Sequence, residues 1–558
     1  MLRRYVKQRL LGTAVLGAGL AAAALGSTLT DTALPLLEGE RWWGGPVVYG
    51  LEMPYDATAD CAHTFHVTDR HGVSNQTQPL LVSSQGRYVW NHTAFNYAFA
   101  RGTLRLSDAA VPFDVGRGGA TLRDAFRAAS ARFFPPSGRA PAELMFRAPQ
   151  YNTWIELTYD QREDRIRRYA RDLIAAGYPP GVIMIDDNWQ EAYGVWEFSA
   201  ARFRDPKGLV RELHDLGFKV MLWICPFVSA DTTTYRELLR DGCLLRDASD
   251  RRESIWVNGP VVNDAAMIRW WNGASAVLDL SNPRAREWIR GRLQYLSDEY
   301  GVDGFKLDAG DSNFYVATAP GREFVAFAPR TPEEHATDWA RVGLDFPYNE
   351  YRACWQMGGQ ALAQRLRDKA HTWEALRELV PGMIASGLSG YAFTCPDMIG
   401  GGDFSSFEDP ARFDPELVVR SAQVQALMPM MQFSVAPWRV LPPDLADHCL
   451  DAAKLHLRCG DEFVALARAS ATSGDPIVRP LEWQWPHQGY ATITDQFMIG
   501  DDLLVAPVVV KGARARTVVV PPGRWQADDG STVVGPATIE VAAPLSRLPH
   551  WRRLAAAR

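Results

Sequence analysis

The chain has 558 residues, a formal net charge of −6 and an isoelectric point near 6.0. That length exceeds what one hydrophobic core supports, so two or three domains are expected. The acidic balance argues against a nucleic-acid partner, which demands a basic face to neutralise phosphates.

Residues 1–30 begin with a basic cluster, Met1 to Arg9, then an apolar run, Leu10 to Leu25, then a polar stretch from Ser27. This order predicts an export signal, or a membrane anchor if it stays uncleaved, and hence a periplasmic or extracellular protein. The membrane is a partner only in the uncleaved case. Short β-rich pieces between Trp42 and Val115, punctuated by Gly, Asn, Asp and Ser, predict an antiparallel β-domain. With a helix over Thr121 to Phe134 and a linker at Pro135 to Gly138, they define a β-sandwich-like unit over 40–138.

From 142 to 440 strand and helix patterns alternate. Gly181 to Ile185 ends in Asp186-Asp187, Lys219 to Ile224 ends in Cys225-Pro226, and Gly304 to Leu307 ends in Asp308. Between them Ile166, Tyr169, Ala170 and Leu173 recur at helical spacing, as do Trp288, Ile289, Leu293 and Leu296 after an Asn282-Pro283 start. Such alternation predicts a parallel sheet. Residues 441–558 predict a helical connection near Leu445 to Cys459 and a C-terminal β-domain, with a turn at Pro521-Pro522-Gly523.

The chemistry concentrates at strand ends. The run Val302 to Leu307 reads as a buried strand delivering Asp308 at its mouth, and Gly387 to Pro396 as a second short strand delivering Asp397 before a glycine cluster. Hydrolysis of a sugar acetal with retention needs one carboxylate to attack and a second carboxyl to protonate the departing oxygen. Taken singly, an Asp after an apolar run is more often a cap or turn former. For Asp186 and Asp187, beside Trp189, the residues themselves allow a helix cap or a magnesium site. Nineteen tryptophans suit sugar binding, although most tryptophans in a large enzyme pack its interior. The seven cysteines show no metal-ligand spacing; export permits an occasional bridge, for instance Cys449 with Cys459.

With these residues in view the sequence resembles glycoside hydrolase family 31, most closely the branch that contains the myogenesis-regulating glycosidase. Further blocks carry the likeness: Met428 to Ser434, Gly474 to Leu481 and Asp495 to Pro507, with Arg269 to Gly273 and Val277 to Leu280 characteristic of the branch. The resemblance implies an α/β (β/α)8 TIM barrel over 142–440, flanked by the two β-domains. It also implies a retaining α-glycosidase that uses neither cofactor nor metal and takes a carbohydrate substrate.

Asp308 falls on the family's nucleophile and Asp397 on its acid/base. Asp186, Asp187, Trp189, Trp154, Trp223, Lys306 and Arg367 are the expected substrate contacts, and alternation along the strand allows Lys306 to point inward, where its charge would lower the Asp308 pKa. The branch implies α-galactosides, with α-glucosidase, transglycosidase and a noncatalytic carbohydrate-binding relative as alternatives. Two departures stand out: Thr394-Cys395-Pro396 precedes Asp397, and Asp311 stands where related sequences usually carry Glu.

Overall fold

A computed structural model describes residues 31–66, 76–247, 265–315, 326–327 and 330–555. The predicted export segment, 1–30, lies outside the described residues. Among the described residues no helix is long and apolar enough to cross a membrane.

Eight strands form one parallel sheet: β1 (Gln150–Asn152), β2 (Val182–Ile185), β3 (Lys219–Ile224), β4 (Gly304–Leu307), β5 (Tyr348–Tyr351), β6 (Gln364–Arg365), β7 (Thr394–Cys395) and β8 (Gln432–Phe433). Each pairs in parallel with its neighbour in chain order, and β8 returns to β1. The last seam, between β7 and β8, is closed by the parallel bridge Met398–Gln432. The result is the predicted eightfold barrel, with the strands' C-terminal ends at one mouth.

The predicted helices form for the expected reasons. Glu163–Ala175 buries Ile166, Tyr169, Ala170 and Leu173 on one face. Pro283–Tyr300 starts on Asn282, whose side chain accepts from Arg284 N at 3.0 Å, and ends on Gly301 at φ 78°. The left-handed conformation there is one that glycine adopts without strain.

Two four-stranded antiparallel sheets precede the barrel. One runs Thr32–Pro35, Thr103–Ser107, Asn96–Ala100, Cys61–Thr64; the other runs Trp42–Gly44, Leu80–Ser83, Arg87–Trp90, Asp114–Arg117. A capped helix, Leu122–Phe133, follows, in which Thr121 and Asp124 bond each other's backbone N–H. One continuous set of buried apolar side chains joins these sheets to the barrel. After the barrel comes a helix, Pro443–Ser473, and a six-stranded sheet whose own core centres on Trp525 and Trp551.

Four local expectations are corrected. Pro521 to Gly523 is no turn: it lies within the strand Ala515–Ala527, where the register shifts between Val520 and Gly523. Gly387 to Asp397 is not one strand, because the helix Leu379–Leu388 takes its first residues and β7 spans only Thr394–Cys395. The helical connection runs well past Cys459, to Ser473. Cys449 and Cys459 sit on that helix, about 15 Å apart at 1.5 Å rise per residue, beyond any bridge, and all seven cysteines are free thiols.

Candidate active site

A cavity of about 340 Å³ opens at the C-terminal mouth of the barrel, within the usual size range of small-molecule sites. Its lining includes Asp186, Asp187, Trp223, Lys306, Asp308, Arg352, Arg365 and Asp368, with Trp154, Tyr159, Trp271 and Phe404 supplying aromatic walls.

Strand register explains the floor. Trp223 of β3, Lys306 of β4 and Glu350 of β5 are paired across neighbouring strands and so share one face, the barrel interior. Trp223 Nε1 donates to Asp308 Oδ2 at 2.8 Å, and Lys306 Nζ to Asp186 Oδ2 at 2.6 Å. The other Asp308 oxygen, Oδ1, is buried and accepts no hydrogen bond among the described residues. Its nearest cations are Arg365 Nη2 at 3.8 Å and Arg352 Nε at 4.0 Å. Burial pushes the Asp308 carboxyl up, but Lys306, Arg352 and Arg365 outweigh it and hold it below the ordinary value.

Asp368 faces the same pair of arginines. Arg365 Nη1 reaches Asp368 Oδ1 at 2.5 Å and Arg352 Nη1 reaches Oδ2 at 2.6 Å, while the side chain keeps 43% of its surface open. Burial among the cavity walls raises its pKa, and the two guanidiniums more than reverse this. Asp311 anchors Arg352 from behind, accepting from Nε at 3.0 Å. Gln76, at the edge of the N-terminal unit, donates to the backbone oxygens of both Arg352, at 2.8 Å, and Arg365. Trp271, 46% exposed, lies under the Arg352 guanidinium with 5.4 Å to its ring centre.

Asp187 is the most crowded acid. Its oxygens accept from Gln190 at 2.9 Å, Tyr193 at 3.1 Å and Asn272 at 2.5 Å, and burial lifts its pKa to about 6. Asp186 is paired with Lys306 instead.

The fold thus gathers Asp186, Asp187, Trp154, Trp223, Lys306 and Asp308 around one cavity. Three expected residues are elsewhere. Asp397 is 1% exposed and does not line the cavity: Oδ1 accepts from Arg365 Nη1 at 2.8 Å and Oδ2 from Lys369 N at 3.1 Å. Its φ of 88° turns the chain so that Met398, not the carboxylate, meets the cavity. Trp189 is fully buried, donating to Trp223 O at 2.7 Å and packing on Trp196 and Phe198, so it supports the floor without reaching it. Arg367 lies two residues past the end of β6, where strand alternation no longer sets direction, and pairs with Glu378 at 2.8 Å on another surface.

Sequence reading missed Arg352, Arg365, Asp368 and Trp271 as cavity residues. The run Arg365-Leu-Arg-Asp368 offered the signal, but which of its side chains turn inward is decided by where the two-residue strand β6 ends. Asp186, Asp308 and Asp368 each have a lysine or arginine beside them, whereas the partners of Asp187 are neutral. The one group of donor atoms among the described residues that could hold a metal is Glu52, Cys61 and His63, within 4.8 Å of one another on the N-terminal unit.

Carboxylates gathered among aromatic walls at the mouth of a closed parallel barrel are the equipment of a carbohydrate-processing class of site. The sequence matches the glycosyl hydrolases family 31 TIM-barrel domain over residues 148–454 and the family 31 C-terminal domain over 474–554, and the chain belongs to this family. It is 32% identical to the myogenesis-regulating glycosidase of Mus musculus over 72% of this chain and 55% of that protein. It is 28% identical to the 1,3-alpha-isomaltosidase of Kribbella flavida over 58% of this chain and 46% of that protein. The chain spans about half the length of these curated relatives.

Among solved structures, the fold matches a Flavobacterium johnsoniae dextranase complexed with glucose, at TM-score 0.77 and 19% identity, covering 94% of this chain and 66% of that one. It likewise matches a soil-metagenome alpha-xylosidase complexed with xylose, at TM-score 0.77 and 21% identity, covering 94% and 79%.

Proposed function

We propose that the chain is a retaining α-glycosidase acting on terminal α-linked sugars, with Asp308 as nucleophile and Asp368, rather than Asp397, as acid/base. One observation carries this reading: two carboxylates line a single cavity, held by the same two arginines, and one of them presents an oxygen that accepts no hydrogen bond. Asp397 lacks the required access to a departing oxygen.

In the first step Asp308 Oδ1 bonds to the anomeric carbon as the carbon–oxygen bond to the leaving group breaks. A proton on Asp368 passes to the departing oxygen. In the second, Asp368 takes a proton from water, whose oxygen displaces Asp308 and restores the α-configuration. The ionised Asp308 suits attack. The two guanidiniums favour the ionised Asp368, the form the second step needs, and exclusion of water by a bound sugar favours the protonated form needed first.

For the sugar itself we propose an α-galactoside. Its support is the likeness of Trp270 to Gly273 and Thr394 to Asp397 to the branch, and the Asp187 cluster, where Asn272 of that same segment fixes an acceptor. α-Glucosides and α-xylosides are the second reading, since relatives carry isomaltosidase and xylosidase names. Export through residues 1–30 is proposed as well, and mass spectrometry of the secreted chain tests it. Purified enzyme should be assayed on nitrophenyl α-galactoside, α-glucoside, α-xyloside and sulfoquinovoside. Turnover of none of them, by protein that binds sugars, would favour a noncatalytic relative.

A further inference from the structure

Glu350 is a buried acid that the mechanism above leaves unused. It sits on β5 one layer below the cavity, 0% exposed. Its Oε2 accepts from Gln432 Nε2 of β8 at 2.6 Å, and Gln432 in turn reaches Gln150 of β1. The Oε1 oxygen has no hydrogen bond among the described residues, and neither has Arg365 Nε, which lies 3.4 Å away. A buried carboxylate oxygen and a buried guanidinium nitrogen therefore face each other with nothing else to satisfy them. Arg365 spends its other nitrogens on the site: Nη1 holds Asp368 and Asp397, and Nη2 faces Asp308.

We infer that Glu350 is a positioning residue, which orients Arg365 from beneath and sets how strongly that guanidinium draws on the Asp368 carboxyl. This rests on the reading of Asp368 as acid/base. The physics is charge competition in a low-dielectric interior, where one carboxylate on Arg365 weakens the hold of its other nitrogens. The remaining groups around Glu350 are Lys306 of β4, whose positive charge meets it in register, and Cys395 and Asp397 at the end of β7. Burial lifts the Glu350 pKa to about 7, against the pull of Arg365 and Lys306, so its charge is adjustable near neutrality. Its carboxyl touches no cavity surface, and its influence passes through Arg365.

The test uses Glu350→Gln, which keeps shape and the Gln432 contact but removes the charge. kcat, which reports the ionisations of the sugar-bound enzyme, is measured from pH 4 to 9 on a disaccharide, whose poor leaving group needs the acid, and on an activated aryl glycoside, which does not. With the anion gone, Arg365 pulls harder on Asp368. The alkaline limb of the disaccharide profile should move to lower pH by about one unit, while the aryl profile keeps its position.

A limb that stays in place, or equal losses on both substrates, overturns the proposal and leaves a structural role only. Circular dichroism and thermal unfolding confirm that the variant is folded. Asp368→Ala separates the two ideas. If it fails to abolish the alkaline limb of the wild type, the acid/base reading falls; if it abolishes the limb and Glu350→Gln leaves it unmoved, only the Glu350 inference falls.

Discussion

Asp368 and Asp397 share a single nitrogen: Arg365 Nη1 lies 2.5 Å from Asp368 Oδ1 and 2.8 Å from Asp397 Oδ1. The two carboxyls are thus chemically linked but not equivalent, because only Asp368 opens on the cavity. Burial keeps the Asp397 carboxyl above the ordinary range, as expected of an acid catalyst, yet a proton that cannot reach the leaving group serves no transfer.

Leaving-group dependence should separate them. Asp368→Ala is expected to slow disaccharide hydrolysis far more than that of an activated aryl glycoside, with azide restoring turnover as the α-glycosyl azide. Asp397→Ala should lower both rates alike, without azide rescue, since it acts by loosening Arg365. The opposite pattern, with rescue at Asp397, would return the acid/base role to that residue.

Asp308→Asn should reduce kcat by at least about 10³-fold with the fold intact, because the cavity holds no other carboxylate tied to Trp223. Proton NMR of the first product should show the α-anomer. An initial β-product would mean inversion.

Preference among sugars should follow the Asp187 cluster. Galactose and glucose differ only at the 4-hydroxyl, and a site built for one geometry leaves a buried polar group unpaired with the other, at about 1–3 kcal/mol. kcat/KM for the α-galactoside should exceed that for the α-glucoside by at least about tenfold, and Asp187→Ala should shrink the ratio. A ratio favouring glucose would remove the galactoside reading and leave the two-carboxylate mechanism standing.

Asp187 should also mark the pH dependence of stability. Burial raises its pKa from 3.8 to about 6, so the folded state holds this proton more tightly than the unfolded chain. Its contribution is greatest below the unfolded value and is lost as pH rises to about 6. The unfolding free energy of wild type relative to Asp187→Asn should therefore fall by about 3 kcal/mol across that window in denaturant titrations. A flat difference would mean that Asp187 is ionised with little penalty.

Trp189→Ala should cost about 3–5 kcal/mol of stability, as expected for a fully enclosed side chain. Trp189→Phe should keep KM within about twofold, because the indole touches Trp223 and not the cavity. A large rise in KM in the folded Phe variant would restore a direct sugar contact.

The sequence by itself determined the alternating strands and helices of a parallel sheet, the flanking β-units and the position of Asp308 at a strand end, because those signals are local, while closure into a barrel was an expectation of the family resemblance. Apolar runs that end in acids, helical spacing such as Ile166 to Leu173, and an Asn-Pro helix start each act within a few residues. Lys306 was legible too, since alternation along β4 sets its direction. What only the tertiary structure decided is which of several acids and arginines turn inward after short or irregular strands. β6 ends at Arg365, so Arg367 escapes the alternation that would otherwise turn both inward, and no sequence signal marks the end of so short a strand. Which of Asp368 and Asp397 opens on the cavity depends on arginines brought together from the ends of two strands, long-range contacts that no local pattern encodes.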